Sequence, residues 1–285
     1  MRFLACTVLA LAFAACGPSV SGGDDDDDQD ARVDAAIDGV PSDGDELDFS
    51  RVYAHSGQVL YRLDTTTLMP VEIGPFGITG QSITDIAVDK DDRMIGISLD
   101  NVYQINIATG AATLLTSLGG STPNLTSLSF VPMDINNPDS PERLVAATDQ
   151  GTVLEINPVN GATTSLGSYG TAAAGTIRSS GDIVAITGVG IFATVTIGDT
   201  LTDPDYLAQI NPTTWSATPL GVGTGFDRIF GVGFWRGRIY GFVDRQTQGG
   251  AIVEIDQNTG AATIVNMGAV RWYGAGVTTD APTID

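Results

Sequence analysis

The side chains that could do chemistry in this chain are aspartates and arginines set close to loop boundaries. Asp85, Asp199, Asp203, Asp205, Asp227 and Arg228 form one candidate group, and Asp244 and Arg245 follow in a polar, Gly-rich stretch. Arg271, Trp272 and Tyr273 form a third group. Two carboxylates facing one substrate can act as acid and base on a glycosidic bond, and Asp85 with Asp227 are the candidates for that role. Arginine beside tryptophan or tyrosine instead suits recognition without turnover, by stacking and forked hydrogen bonds. Asp244, Arg245, Arg271, Trp272 and Tyr273 are the candidates for that second role. The plain alternative for each of them is a solvated loop end or a strand cap.

Other chemistry is constrained by what is scarce. A single histidine, His55, rules out a His-rich metal site, and it ends an expected strand with no serine or cysteine in a nucleophile-elbow context. Asp134, Asn137 and Asp139 place oxygen ligands at a loosely calcium-like spacing, without the glycine and regular alternation of a calcium loop. Calcium is thus the one cofactor to consider. With 34 acidic against 13 basic side chains the net charge is -21, which excludes nucleic acid as a partner.

The N-terminus reads as an address. A short basic start is followed by an apolar run from Phe3 to Ala15, too short for a permanent transmembrane helix. It ends in Phe13, Ala14, Ala15 and Cys16, which resembles the lipobox of bacterial lipoproteins, with Phe13 where leucine is commoner. The resemblance implies cleavage of residues 1–15 and acylation of Cys16, whose acyl chains would be the partner of the membrane. An ordinary secretory signal cut nearby is the alternative, and both place the mature chain outside the cytoplasm. Cys6 lies in the removed segment, so the mature chain has no pair of cysteines for an internal disulfide. Gly17 rather than aspartate after the cysteine points to the outer membrane or cell surface of the envelope. Residues 16–48 then read as a lipidated cysteine and a disordered tether, with 12 acids against one base, Arg32. The body, residues 49–285, keeps 22 of the 34 acids and 11 of the 13 bases.

That body repeats itself. Segments beginning at Val59, Val102, Val153, Tyr206 and Ile252 each run through alternating apolar residues to an Asp or Asn, then a turn, then a second β-rich stretch. The turn residues are Asp64, Asn106, Asn157, Asn211 and Asp256, separated by 42, 51, 54 and 45 residues. An Asp or Asn there caps the following N–H groups. Gly110, Gly161 and Gly260 sit four residues later, where a left-handed residue is needed; Leu68 and Trp215 replace it in two copies, which predicts differently shaped turns. Upstream of each turn lies another pair of strands: 83–89 with 93–98, 125–131 with 143–148, 174–179 with 182–187, and 229–234 with 238–243.

This pattern resembles a β-propeller of five four-stranded blades, with repeats similar to those of extracytoplasmic PQQ-like and YVTN-type propellers. No cofactor-binding residue of the quinoprotein propellers has a counterpart here. The segment after Trp272 reads as an innermost strand without partners, and the segment from Arg51 as strands two to four without an innermost one. Together they supply 44 residues, one repeat, so the termini are expected to close the ring in one shared blade. One face would then carry the connections 74–81, 119–124, 168–173, 221–227 and 267–271, with two long loops, 188–205 and 244–250. The reading is an all-β, lipid-anchored binding or scaffold module for a protein or glycan, with a propeller hydrolase of glycosidase or lactonase type as the alternative.

Overall fold

The computed structural model describes residues 50–119, 124–198 and 203–284. The signal segment, Cys16 and the acidic tether therefore lie outside the described residues, as does Asp199.

Among the described residues twenty-one strands form five antiparallel sheets. In the second blade β4 (Asp85–Val88), β5 (Met94–Ile97), β6 (Asn101–Ile105) and β7 (Ala112–Ser117) pair in chain order. The third blade is β8 (Leu125–Pro132), β9 (Glu142–Thr148), β10 (Thr152–Ile156) and β11 (Thr163–Ser168). The fourth has β13 (Gly175–Ile186), β14 (Gly190–Ile197), β15 (Tyr206–Ile210) and β16 (Ala217–Pro219), with a two-residue strand β12 (Thr171–Ala172) added beside β13. The fifth is β17 (Ile229–Trp235), β18 (Arg238–Asp244), β19 (Gly250–Ile255) and β20 (Ala262–Gly268).

The first blade is shared between the termini. β21 (Gly274–Val277) pairs with β1 (Val52–His55), which continues into β2 (Val59–Asp64) and β3 (Met69–Pro75). The innermost strands β21, β4, β8, β13 and β17 contact one another in sequence around an axis. The chain is a five-bladed β-propeller, closed by its two ends as the repeat spacing predicts.

Burial explains the order within each blade. Inner strands such as β4 and β5 are buried at every residue, because neighbouring blades cover both faces. Outer strands such as β7 and β20 are largely exposed. Apolar side chains fill the wedges between blades.

All five turn residues cap as expected: Asp64, Asn106, Asn157, Asn211 and Asp256 each accept a backbone N–H two residues on, at 2.8–2.9 Å. The expectation for the two odd turns is corrected. Leu68 (φ 56°) and Trp215 (φ 62°) hold the same left-handed conformation as Gly110 (φ 78°) and Gly161 (φ 70°). The Asx cap dictates the turn, and the non-glycine residue accepts a cost of roughly 1–2 kcal/mol. At Trp215 burial of the indole and the Arg143 guanidinium, 5.0 Å from the ring centroid, offset that cost.

The fourth blade needs a second correction. Residues 174–179 and 182–187, read as two strands, are one strand, β13, with an irregularity between Ser179 and Ile183. The apolar part of the expected 188–205 loop is the second strand, β14. The apparent gap at Ser180 and Gly181 is a bulge, and the reversal comes later, at Thr187 to Val189.

The end of the axis away from the loop face is closed by the residues after β21. Thr278 bridges to Val88 of the second blade and its hydroxyl donates to the Asp89 carbonyl. The Thr279 hydroxyl donates to Glu142 of the third blade, and its carbonyl accepts from Thr187 N–H of the fourth. The Pro282 carbonyl accepts from Arg236 N–H of the fifth. This short tail touches all four blades other than its own.

Candidate functional site

On the loop face, three connections of the fifth and first blades enclose an open cleft of about 770 Å³. The approach to β17 supplies Arg228 and Phe230, the β18–β19 turn supplies Asp244, Gln246 and Thr247, and the β20–β21 connection supplies Arg271 and Tyr273. Three of the body's 11 basic residues, Arg228, Arg245 and Arg271, belong to these connections.

The centre of the cleft is a forked ion pair. Arg271 donates through Nε to Asp244 Oδ1 at 2.8 Å and through Nη2 to Oδ2 at 2.7 Å. Asp244 Oδ1 also accepts the Gln246 N–H at 3.0 Å. Burial pushes the Asp244 carboxyl up, but the Arg271 hydrogen bonds and the Gln246 N–H outweigh it and hold the group below the ordinary carboxylate value. The Asp244 N–H donates to the Arg228 carbonyl at 3.0 Å, so the three connections are tied together. Arg228 (φ 56°) and Gln246 (φ 57°) both hold left-handed backbones without being glycine. Such strain costs roughly 1–3 kcal/mol each and collects at binding and catalytic sites. Tyr273, a residue 41% exposed, completes the rim, anchored by its N–H to the His55 carbonyl.

The structure thus brings Asp244, Arg271 and Tyr273 into one cleft. Arg245 stands at its edge, donating to Gln248 Oε1 at 2.6 Å. Trp272 is a correction: it is 2% exposed, with its ring edge-on to Tyr61 and Phe242 at 5.4 Å each. Alternation along the chain places its side chain opposite those of Arg271 and Tyr273, into the wedge between the first and fifth blades. Phe230, Gln246 and Thr247 were not singled out from sequence. Gln246 and Thr247 sit in a loop that was, while Phe230 was hidden in an apolar strand pattern.

The pair proposed for acid–base work does not assemble. Asp85 is fully buried, and the carboxyl it meets is that of Asp182, not Asp227. Asp227 lies half exposed near Arg228, 3.9 Å away. His55 is also fully buried, with Nδ1 accepting the Gly57 N–H at 3.1 Å. Asp134 and Asn137 spend side-chain oxygens on the N–H groups of Asn136 and Asp139. Among the described residues no group of three or more His, Cys, Asp or Glu is arranged to hold a metal ion. Among them, too, no helix is long and apolar enough to cross a membrane.

Asp205 is a strand cap rather than a loop ligand. Its carboxylate accepts the Ile229 N–H at 2.7 Å and the Thr196 hydroxyl at 2.9 Å, joining the fourth blade to the fifth. Burial pushes it up to about 7. A raised folded value favours the protonated group, so its stabilising contribution is lost as pH rises from the ordinary carboxylate range through about 7. Thermal unfolding of Asp205→Asn should lack this part of the wild-type fall between pH 5 and pH 7; identical profiles would contradict the assignment.

A second cleft of about 590 Å³ lies on the same face between the first and second blades. There Gln81 Oε1 accepts from Ser98 Oγ, Asn101 Nδ2 and Tyr103 Oη at 2.7–3.1 Å. Among the described residues that line this cleft, none carries positive charge or an aromatic ring; Tyr103 lies buried behind Gln81.

No protein-family model matches the chain, and no curated protein matches it. Solved structures do resemble it. A protein of unknown function from Bacteroides thetaiotaomicron is 14% identical over 76% of this chain and 58% of that one, with a TM-score of 0.48. BamB from Moraxella catarrhalis is 14% identical over 76% and 62%, with a TM-score of 0.36. An oligogalacturonate lyase in complex with manganese is 11% identical over 76% and 61%, with a TM-score of 0.39. The chain thus spans under two thirds of the length of each of these three.

Proposed function

We propose that the protein is a lipid-anchored, extracytoplasmic binding module that presents its loop-face cleft to a protein or glycan without catalysis. The observation that carries this reading is the cleft itself. Arg228, Asp244, Arg271 and the exposed Tyr273 share one open concavity, and two of its residues, Arg228 and Gln246, hold strained backbones. A guanidinium fork beside an aromatic face recognises carboxylates, amides and sugar hydroxyls. Cys16, after its short apolar leader, supports anchoring by acyl chains, and the acidic tether supports display of the propeller away from the envelope surface. The hydrolase alternative relied on Asp85, whose carboxyl lies inside the ring.

The test is a glycan-array and pull-down screen of the chain beside Tyr273→Ala. A saturable ligand bound by the wild type, and bound at least tenfold more weakly by the variant, is the expected result. Equal binding by both would reject this cleft. A ligand consumed during the assay would reject the non-catalytic reading.

A further inference from the structure

The strand registers define one layer of five equivalent positions around the axis. Gly274 pairs with His55, Asp85 with Ile97, Ser127 with Ala147, and Gly231 with Phe242. In the fourth blade the position is Asp182, whose N–H donates to Thr194 Oγ1 at 3.0 Å. Glycine, aspartate, serine, aspartate and glycine therefore face one another. The small residues leave room for the two acids, and a Cβ on Gly274 would collide with Asp85 Oδ1 and His55 Nε2.

Asp85 and Asp182 are both 0% exposed and are neighbours in this layer. Asp85 accepts the Ile86 N–H at 2.9 Å and, from the third blade, the Leu128 N–H at 2.6 Å. Asp182 accepts the Ile183 N–H at 2.6 Å and, from the fifth blade, the Val232 N–H at 2.8 Å. Gly274 of the first blade packs against the Asp85 carboxyl, where a Cβ would clash with Oδ1. Through these two side chains the inner strands of four blades are hydrogen-bonded, and the first blade packs against them at Gly274.

We propose that Asp85 and Asp182 share one proton across the axis, and that this proton completes the polar network locking the five blades together. Backbone donors on both carboxyls stabilise one negative charge. A second charge in the same layer, away from water, has no compensating cation. The ionisable groups around the pair are His55, from β1, and Tyr169, between β11 and β12. His55 Nε2 stands 3.9 Å from Asp85 Oδ1, and burial pulls the ring's pKa down to about 3, so it is neutral here. Burial pushes the Tyr169 hydroxyl up, so it too is neutral. The Ser179 hydroxyl and Tyr169 Oη lie buried nearby and add dipoles rather than charge.

Burial, with the charge of the partner carboxyl for Asp85, raises both groups. The folded chain then keeps a proton that the unfolded chain has released. Stability is full below the ordinary carboxylate value and falls as pH rises until the folded pair also ionises. Asp205, at about 7, and His55, at about 3, have finished titrating by about pH 8. Above the ordinary carboxylate range this one proton should lower the wild-type melting temperature by roughly 3–5 °C per pH unit, beside the contributions of Asp205 and His55. Asp182→Asn supplies a neutral donor to an ionised Asp85 and should lack this share of the fall, while keeping the contributions of Asp205 and His55. Parallel profiles for the two proteins would overturn the proposal. Infrared spectroscopy of Asp205→Asn at about pH 6, where an ordinary carboxyl is ionised, decides the point even if the Asp182 variant does not fold. A protonated-carboxyl C=O band is expected there, and its absence would overturn the proposal.

Discussion

A chain ended at Tyr273 should show no cooperative unfolding transition. Such a truncation removes β21 and leaves β1, whose four residues are all buried, as an open edge facing the axis. It also removes Thr278, Thr279 and Pro282, which join the first blade to the other four. Each lost hydrogen bond costs about 1 kcal/mol, and burial of a Val277-sized side chain is worth about 1.5–3 kcal/mol. A domain has roughly 5–15 kcal/mol of stability in all, so many such losses leave no folded state. Calorimetry on the truncated chain checks this. A sharp transition near that of the full chain would mean that the ring does not depend on its shared blade.

Replacing Trp272 by alanine should cost about 3–5 kcal/mol, the range for emptying a large aromatic site in a core. The indole fills the seam where the ring closes, edge-on to Tyr61 of the first blade and Phe242 of the fifth. Gly250 has no side chain where a Cβ would strike this ring, so the pocket is shaped to it. The melting temperature should fall by roughly 10 °C. If Trp272 instead met a ligand, as the sequence suggested, its loss would weaken binding and leave the melting temperature in place.

The fold was legible because the repeat is written in turn chemistry as well as in hydrophobicity. Asp64, Asn106, Asn157, Asn211 and Asp256 mark the same corner in every blade, and their spacing counts the blades and closes the ring. The fourth blade departs from the sequence pattern where the period breaks: the bulge at Gly181 resembles a turn in sequence, which makes β14 read as part of a loop. Asp182 was consequently placed at the start of a second strand rather than on the axis.

The site was legible in position and less so in orientation. Asp244, Arg271 and Tyr273 were recognised as loop residues of one face, and they do meet. Trp272, between two of them, points the other way, because alternation within a connection depends on a backbone that spacing alone does not specify. Asp85 reads in the sequence as a residue close to a loop boundary, at a strand start. Whether such a residue faces solvent or an opposing carboxyl depends on the blade across the ring, here Asp182, 97 residues away in the chain.

The central claim is that recognition occurs at the Arg271–Tyr273 cleft and not elsewhere on the loop face. Titration of the ligand found by screening, against the wild type, Tyr273→Ala and Gln81→Ala, tests it directly. Gln81 lines the neighbouring cleft between the first and second blades, and its loss leaves the Arg271 fork untouched. With melting temperatures measured on the same samples, the account predicts weak binding by Tyr273→Ala and wild-type affinity in Gln81→Ala. The reverse pattern, with both variants folded, would place the site in the other cleft and contradict the account.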